Sequence, residues 1–460
     1  MTEELNKTLI EEIAELLENR KFIKLRSILD EMHAEDIALL FEDFSPKELP
    51  IIFRLLSKEA AAEVFVELDS KQQEFLIGAF SDNELKEVLE ELYLDDTVDI
   101  IEEMPANVVK RILKQSAPET RRNINEILKY PDDSAGSIMT IELIDLKKKW
   151  TVSQAFDYIR RTGTDKETIY TCYVRDDNRK LEGVVSVKTL LLSPVDAIIE
   201  DIMETNLISV DTYEDKEVVA KLFDKYDLLA MPVVDKENRL VGIITIDDAI
   251  DVIQDENTED IEKMAAITPT EKPYLKTGIF ETWKSRIPWL LLLMVSATFT
   301  EKIIGAFQDK LSACVVLTAF IPMLMGTGGN SGSQSSVAII RGMSLHEIDL
   351  SDTLKVLWKE IGVSLICGLT LGAAAFIKIY LIDNGDIVSA SQEPVKIALT
   401  VSLALFATVV FAKIAGCIFP MLAKKLKVDP AVMASPFITT VVDAISLWLY
   451  FLIAQGILKL

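Results

Sequence analysis

The sequence predicts a multidomain membrane protein with three parts. These are an acidic N-terminal domain built as an α-helical solenoid, a duplicated α+β region, and an all-α membrane domain of five helices. The 460 residues are 49% hydrophobic and 26% charged, and these two properties are segregated along the chain. Residues 1–275 hold 61 of the 73 acidic and 33 of the 48 basic side chains, a net charge of −28, while the remainder carries +3. Nucleic-acid binding is excluded because so negative a region repels phosphate.

Residues 1–130 are predicted to form the helical domain. Apolar residues recur at three- and four-residue spacing in segments such as IALLFEDF and IIFRLLSKEAAAEVFVEL. Short breaks such as SPKELP and MPAN separate these segments. Helix pairs repeating at intervals of roughly 30 residues are typical of an α-solenoid. The start, MTEELNKTLIEEI, is acidic and amphipathic rather than a secretory signal, so we expect it in the cytosol.

Residues 131–253 contain an internal duplication. Ile138-Met139 in the first copy matches Ile202-Met203 in the second, and Gly183 matches Gly242. Each copy is predicted to run from a short strand through a helix to a strand–turn–strand unit.

Residues 254–283 are predicted to form a linker helix, and residues 284–460 the membrane domain. Five apolar stretches are about long enough to cross a ~30 Å hydrocarbon core. Lys and Arg precede the first stretch and lie between the second and third and between the fourth and fifth. This bias predicts a cytosolic N-terminus and an external C-terminus. The predicted spans are Ile287–Phe307, Ser312–Ile340, Val363–Ile382, Ile397–Leu422 and Ala434–Leu458.

Asp443 is the only acidic residue after Pro436 and lies near the middle of the last span. An ionised carboxylate at that depth costs about 2.5–3.5 kcal/mol on the lenient insertion scale. Thr439 precedes it by four residues and therefore shares its helix face. We expect this face to line a water-filled cation path; the alternative is a carboxylate that is neutralised by a neighbour or protonated.

A glycine-rich run, GTGGNSGSQSS, occupies the second span and includes Gly328, Gly329 and Asn330. One interpretation is close helix packing, which glycine permits in membranes. The favoured interpretation is an interrupted helix whose free carbonyls, with the Asn330 amide, line a wet cavity.

The donors in the membrane are carboxylate, amide and carbonyl oxygens, which suit Mg²⁺ or Mn²⁺ rather than Zn²⁺ or Cu⁺. The four cysteines are widely spaced and there are two histidines, so a soft-metal cluster is not expected. The sequence shows no nucleophile–base arrangement, P-loop or metalloprotease motif. We therefore expect a protein that is not an enzyme.

With these motifs in this order, the chain resembles the MgtE-type magnesium transporters over about residues 20–458, and the duplication resembles a tandem pair of CBS domains. The resemblance implies a homodimer in the plasma membrane with its pore at the subunit interface. It implies Mg²⁺ uptake down the electrochemical gradient, with the pore metal at Asp443 and a backbone carbonyl ligand at Thr439.

The resemblance also implies regulatory Mg²⁺ between the helical domain, the CBS pair and the linker helix, which holds the pore closed when cytosolic Mg²⁺ is high. The matching acids are Glu63, Asp95, Asp99, Asp215, Glu217, Asp227, Asp248, Asp251, Glu259, Asp260 and Asp429.

CBS domains often bind adenine nucleotides through a Thr or Ser followed three residues later by Asp. The second copy has Thr245 and Asp248, whereas the first has Ser186 and Thr189, so ATP is the weaker candidate ligand. Two alternatives remain: a CBS-regulated transporter of Co²⁺ or Mn²⁺, and a membrane sensor that transports nothing. Asp443 argues against the sensor, which needs no intramembrane carboxylate.

Overall fold

The computed structural model describes residues 3–270, 274–308, 312, 314–345, 347–383, 393–433 and 435–459. The chain forms two compact units, Met1–Ile253 and Gln254–Leu460.

The first unit begins with an array of short helices. Several begin at side chains that cap the free backbone N–H groups: Asp69 and Ser81 each form a capping box with the residue three positions later. The helices are α1 Glu3–Glu18, α2 Phe22–Leu29, α3 Ala34–Phe41, α4 Leu49–Phe53, α5 Lys58–Val66, α6 Ser70–Ala79, α7 Asp82–Glu91, α8 Leu94–Glu103, α9 Ala106–Gln115 and α10 Pro118–Ile127. The helical character is confirmed; solenoid stacking stays a prediction.

The duplicated region forms two three-stranded sheets of the same topology. In each sheet the first strand is parallel to the second, and the second is antiparallel to the third, with a register shift at the end of the second strand. The first copy contains β1 Ile144–Lys147, α11 Val152–Thr162, β2 Thr171–Arg175, β3 Leu181–Ser186 and α12 Val187–Leu192. The second contains α13 Ile199–Ile202, β4 Val210–Asp211, α14 Lys216–Tyr226, β5 Ala230–Val234, β6 Leu240–Thr245 and α15 Ile246–Met264.

The two copies exchange the segments that precede their first strands. Thr140, before β1, forms a bridge with Ile243 in β6, and Glu204, before β4, forms one with Val184 in β3. A Cβ on Gly242 would lie 2.6 Å from the Thr140 carbonyl oxygen, and the sulfur of Met139 is 2.9 Å away. In the first copy, a Cβ on Gly183 would likewise lie 2.9 Å from the Glu204 carbonyl oxygen and 2.9 Å from the Met203 sulfur. This reciprocal contact explains why both the Ile-Met pair and the glycine recur in the duplication.

One apolar core extends through the first unit. It includes Phe65 and Ile112 of the helical array together with Met139, Val219 and Ile244 of the repeat. The predicted boundary at residues 130 and 131 therefore falls within a continuous core.

The second unit is a bundle of long helices. Its helices are α16 Ile279–Ala306, α17 Ile321–Ser344, α18 Thr353–Leu381, α19 Pro394–Lys425 and α20 Ser435–Leu458. Four segments of the described chain are long and apolar enough to cross a membrane: Ile279–Ala306, Leu350–Leu381, Pro394–Lys425 and Pro430–Leu458. α17 carries the glycine-rich run, and five spans stay a prediction. Leu324, Val401 and Tyr450 belong to the core of this bundle.

The expected interruption of the glycine-rich helix is wrong, because α17 is continuous from Ile321 to Ser344. Its glycines pack against neighbouring helices. A Cβ on Gly329 would lie 2.8 Å from Thr439, and one on Gly332 would lie 2.7 Å from Ile438 and 3.2 Å from the Ala412 carbonyl oxygen. Glycine thus permits close approach here, which was the alternative interpretation.

Candidate functional site

The first unit brings together six carboxylates from three separate parts of the chain, which we call the acidic cluster. α8 places three of them on its first turns, the loop before β2 contributes one, and the first turn of α15 contributes two. The acidic cluster consists of Asp95, Asp96, Asp99, Glu167, Asp247 and Asp248.

Loss of surrounding water and mutual repulsion both raise the pKa values of this cluster. The Asp95 side chain is buried, with 7% of its surface exposed, and burial and the charge of Asp248 raise its pKa well above the usual range. Burial, followed by neighbouring carboxylates, raises the pKa of Asp96 to about 6 and that of Glu167 to about 8. Asp99 is exposed on one side, yet desolvation and Asp248 raise its pKa to about 7. The cluster therefore favours protons or cations.

Asp248 is held in place by the start of α15. The Thr245 hydroxyl donates a hydrogen bond of 2.6 Å to the Asp248 carboxylate, and the Thr245 backbone N–H donates one of 3.3 Å. Burial raises the pKa of Asp248 to about 6, although these hydrogen bonds act in the opposite direction. The two residues that resemble a nucleotide motif thus form a helix cap whose carboxylate also faces the acidic cluster.

A divalent cation would relieve the repulsion in the acidic cluster. Within the described residues, no three Asp, Glu, His or Cys side chains are close enough together to hold one metal ion. Asp95, Asp99 and Asp248 were predicted from the sequence, whereas Asp96, Asp247 and Glu167 were missed. The Oε2 atom of Glu167 is buried and has no hydrogen-bond partner among the described residues.

The other predicted ligands in the first unit occupy ordinary structural positions. Asp215 caps α14 by accepting a 2.9 Å hydrogen bond from the Glu217 backbone N–H, and Glu217 pairs with Lys221. Asp227 ends α14 in the left-handed conformation with φ 51°. Glu63 is exposed on α5 and Asp251 is exposed on α15.

In the second unit, a lysine lies between two of the predicted metal ligands. The Nζ of Lys263 is 2.5 Å from Glu259 and 2.7 Å from Asp429. Burial lowers the pKa of Lys263, but its hydrogen bonds with Asp429 and Glu259 raise it overall. Asp429 also accepts a 2.8 Å hydrogen bond from the Ala431 backbone N–H. Asp260 is half-buried on the same helix.

Asp443 lies in α20 with a half-buried side chain. Its Oδ1 is buried, and no described residue donates a hydrogen bond to it. The hydroxyls of Thr408 and Ser446 are likewise buried without a described partner, and the Thr408 methyl group and the Ser446 hydroxyl lie beside Gly328. Ser446 follows Asp443 by three residues and so shares its helix face. Each of these polar atoms needs water or an ion, since unsatisfied polar groups are costly in a membrane.

Asn330 lies on a different face of α17 from its packed glycines. Asn330 and Gln334, four residues apart, are both exposed, whereas Gly328 and Gly329 are buried. The structure thus places Gly328, Gly329 and Thr439 in one helix contact, with Asn330 on the outward surface of the same helix.

Family comparisons match three parts of the chain. A family model for the MgtE intracellular N domain matches residues 32–133, and the CBS domain model matches residues 135–195 and 199–255. A model described as a divalent cation transporter, MgtE, matches residues 321–453.

Similar proteins cover nearly the whole chain. The chain is 34% identical to "Magnesium transporter MgtE" of Thermus thermophilus, with 95% of each chain covered. It is 32% identical to the protein of the same name in Bacillus subtilis, with 97% of each covered. A crystal structure titled as the cytosolic domain of the Mg²⁺ channel MgtE in complex with ATP is 34% identical, with a TM-score of 0.51, covering 53% of this chain and 99% of that one. Another, the soluble part of a magnesium transporter, has a TM-score of 0.51 at 29% identity, covering 55% and 99%.

Proposed function

The chain belongs to the MgtE family of divalent cation transporters, and we propose that it carries Mg²⁺ across the plasma membrane through a path lined by Asp443. It is a multi-pass membrane protein. The observation that carries the proposal is the half-buried Asp443 side chain, whose buried Oδ1 has no described hydrogen-bond partner inside an apolar helix. A carboxylate in that position is stable only if water or a cation reaches it.

The proposed substrate follows from the ligands. Asp443 and the Thr439 carbonyl offer hard oxygen donors, and the described membrane segments show no His or Cys cluster. Mg²⁺ keeps most of its waters when bound, so a sparse set of oxygens suits it. In the proposed homodimer, two Asp443 side chains face one axis and balance the charge of one dication. The electrochemical gradient drives uptake, and the protein transports rather than catalyses.

The acids of each unit provide the proposed regulation. At high cytosolic Mg²⁺, cations bind the acidic cluster and the carboxylates of the linker helix and stabilise a closed state. At low Mg²⁺ the carboxylates repel one another, and the closed state is no longer more stable than the open state. Only a difference in Mg²⁺ affinity between the closed and open states can drive this shift. The distribution of Lys and Arg supports a cytosolic N-terminus and an external C-terminus.

The test is Mg²⁺ influx into proteoliposomes under an inside-negative potential. We expect Asp443→Asn to abolish influx, because it removes the charge while keeping the shape of the side chain. Glu393→Gln is the matched control, since Glu393 is an exposed residue before α19 that pairs with Lys396. Influx that persists in Asp443→Asn would reject a path through Asp443. A wild-type protein without influx would favour the sensor.

ATP is a second candidate ligand of the CBS pair. The support is the Thr245–Asp248 arrangement together with the crystal structure of the similar cytosolic domain, which is a complex with ATP. If ATP binds there, isothermal titration should show binding to the wild type that Thr245→Ala weakens. Equal ATP affinities of the wild type and the variant would show that Thr245 does not contribute to ATP binding.

A further inference from the structure

Three helices of the second unit meet at a buried charged chain. The Ser335 hydroxyl on α17 donates a hydrogen bond of 2.6 Å to the Glu360 carboxylate on α18. The Lys413 ammonium on α19 donates a longer one of 3.4 Å to the same Ser335 oxygen. Ammonium, hydroxyl and carboxylate are thus connected in series. We name these three residues the charge relay.

The charge relay lies well inside the bundle. Lys413 has only 5% of its surface exposed and Ser335 only 2%, while Glu360 is half-buried. At a rise of ~1.5 Å per residue, Lys413 lies roughly 18 Å along α19 from the end of the helix at Lys425. A single charge at such a depth is costly, and a paired charge much less so. The chain therefore keeps a cation inside a membrane helix only because a carboxylate compensates it.

The relay borders the helix contacts that carry the proposed path. Ser335 follows Asn330 by five residues, roughly 7.5 Å along α17. The neighbouring Ser336 hydroxyl donates to the Met433 carbonyl oxygen, just before α20, at 3.3 Å. Gly416, less than one turn beyond Lys413, packs against the Gly332 carbonyl and the Ser335 side chain. The relay therefore adjoins the contacts of α17 with α19 and with the start of α20, the helix that carries Asp443.

We propose that the relay determines how strongly the path attracts dications: Glu360 neutralises Lys413, so that no positive charge beside the path repels the permeating cation. This inference rests on the proposed function. Lys413 and Glu360 act through the electric field and do not bind the ion.

The proposal predicts opposite effects for the two single substitutions. Glu360→Gln keeps an acceptor for Ser335 but leaves the Lys413 charge unbalanced, so Mg²⁺ influx should fall. Lys413→Met keeps the apolar stem but leaves a negative charge, so half-saturation should occur at lower Mg²⁺. The double variant restores neutrality. If the ion binds ~20 Å from the relay, a unit charge acting on a dication at an effective dielectric of ~20 changes the occupancy roughly tenfold.

The experiment measures Mg²⁺ influx against Mg²⁺ concentration in proteoliposomes for both single variants and the double variant. We expect half-saturation to rise roughly tenfold in Glu360→Gln, to fall in Lys413→Met, and to return to within about threefold of wild type in the double variant. Lys378→Met is the control, because Lys378 pairs with Asp383 at the end of α18. It should leave half-saturation unchanged.

A merely structural relay would give a different pattern. Both single variants would then lose influx in the same direction, and the double variant would be no better than either. Ser335→Ala separates the two roles further, because it removes the bridge but keeps both charges. It should lower the Tm while leaving half-saturation within about threefold of wild type. Shifts of one sign in both single variants would overturn the relay while leaving the path through Asp443 intact. Absence of wild-type influx would overturn both proposals.

Discussion

At the scale of single residues, the acidic cluster is unfavourable when it is empty. Six carboxylates share one region of the first unit, and burial together with their mutual charge raises the pKa of several of them. Glu167 has a pKa raised to about 8 and a buried oxygen that no described group satisfies. Removing a charge from this cluster should therefore stabilise the fold when no divalent cation is present.

We predict that Glu167→Gln raises the Tm by a few degrees in chelator at about pH 8, because it removes one source of repulsion. The same substitution should reduce the further rise in Tm that Mg²⁺ produces. Differential scanning fluorimetry of the full chain measures both effects. Asp201→Asn is the control, since Asp201 is an exposed acid on α13. A fall in Tm for Glu167→Gln would contradict the prediction.

The sequence could predict only part of this cluster. Asp95 and Asp99 lie four residues apart on one helix, and Asp248 follows Thr245 in a recognisable cap, so both features can be read locally. Glu167 lies in a loop with no periodic pattern, and only the tertiary fold brings it to α8. Lys413 was missed for the same reason: it is a lone cation in an apolar run, and its compensating Glu360 lies on another helix.

At the scale of elements, glycines determine how closely the membrane helices approach. Gly328, Gly329 and Gly332 of α17 contact α19 and α20, and Gly416 of α19 contacts α17 in return. Gly326, two residues before Gly328, has no neighbour within 4 Å of an added Cβ. Gly326 therefore lies in open space, whereas the other glycines are tightly packed, although all of them lie in apolar helices.

We predict that Gly416→Ala lowers stability by about 1–3 kcal/mol, because its methyl group would overlap the Gly332 carbonyl. Gly326→Ala should be neutral or slightly stabilising, since alanine favours the helix and meets no neighbour. Thermal unfolding in detergent compares the two variants. Equal stabilities of the Gly416 and Gly326 variants would show that the helices separate at little cost.

The sequence predicted the elements better than their contacts. Hydropathy located the long apolar helices, and the matched segments of the duplication predicted two copies with the same strand order. The glycine-rich run was harder, because glycine serves equally well in an interrupted helix and in close packing. Only the neighbours Thr439, Ile438 and Ala412 decide between these interpretations.

At the scale of the whole molecule, the proposed Mg²⁺ binding implies competition between protons and Mg²⁺ for the same carboxylates. The raised pKa values mean that the folded chain binds more protons than the unfolded chain between about pH 4 and pH 8. Stability therefore falls as the pH rises through this range. We predict a higher Tm at about pH 6 than at about pH 8.5 in chelator, and a larger gain from millimolar Mg²⁺ at the higher pH. A Tm in chelator that does not change between these two pH values would contradict this.

The exchange of segments between the two CBS copies has a consequence for biosynthesis. Thr140 pairs with Ile243, so its partner strand is synthesised about 100 residues later. At ~5–20 residues per second, the ribosome needs roughly 5–20 s to produce that strand. During this interval Thr140 lacks its partner strand, whereas Gly183 is covered much sooner because Met203 and Glu204 follow it closely in the chain. The segment at Thr140 is therefore open to pairing with another chain for a time that slower elongation would lengthen.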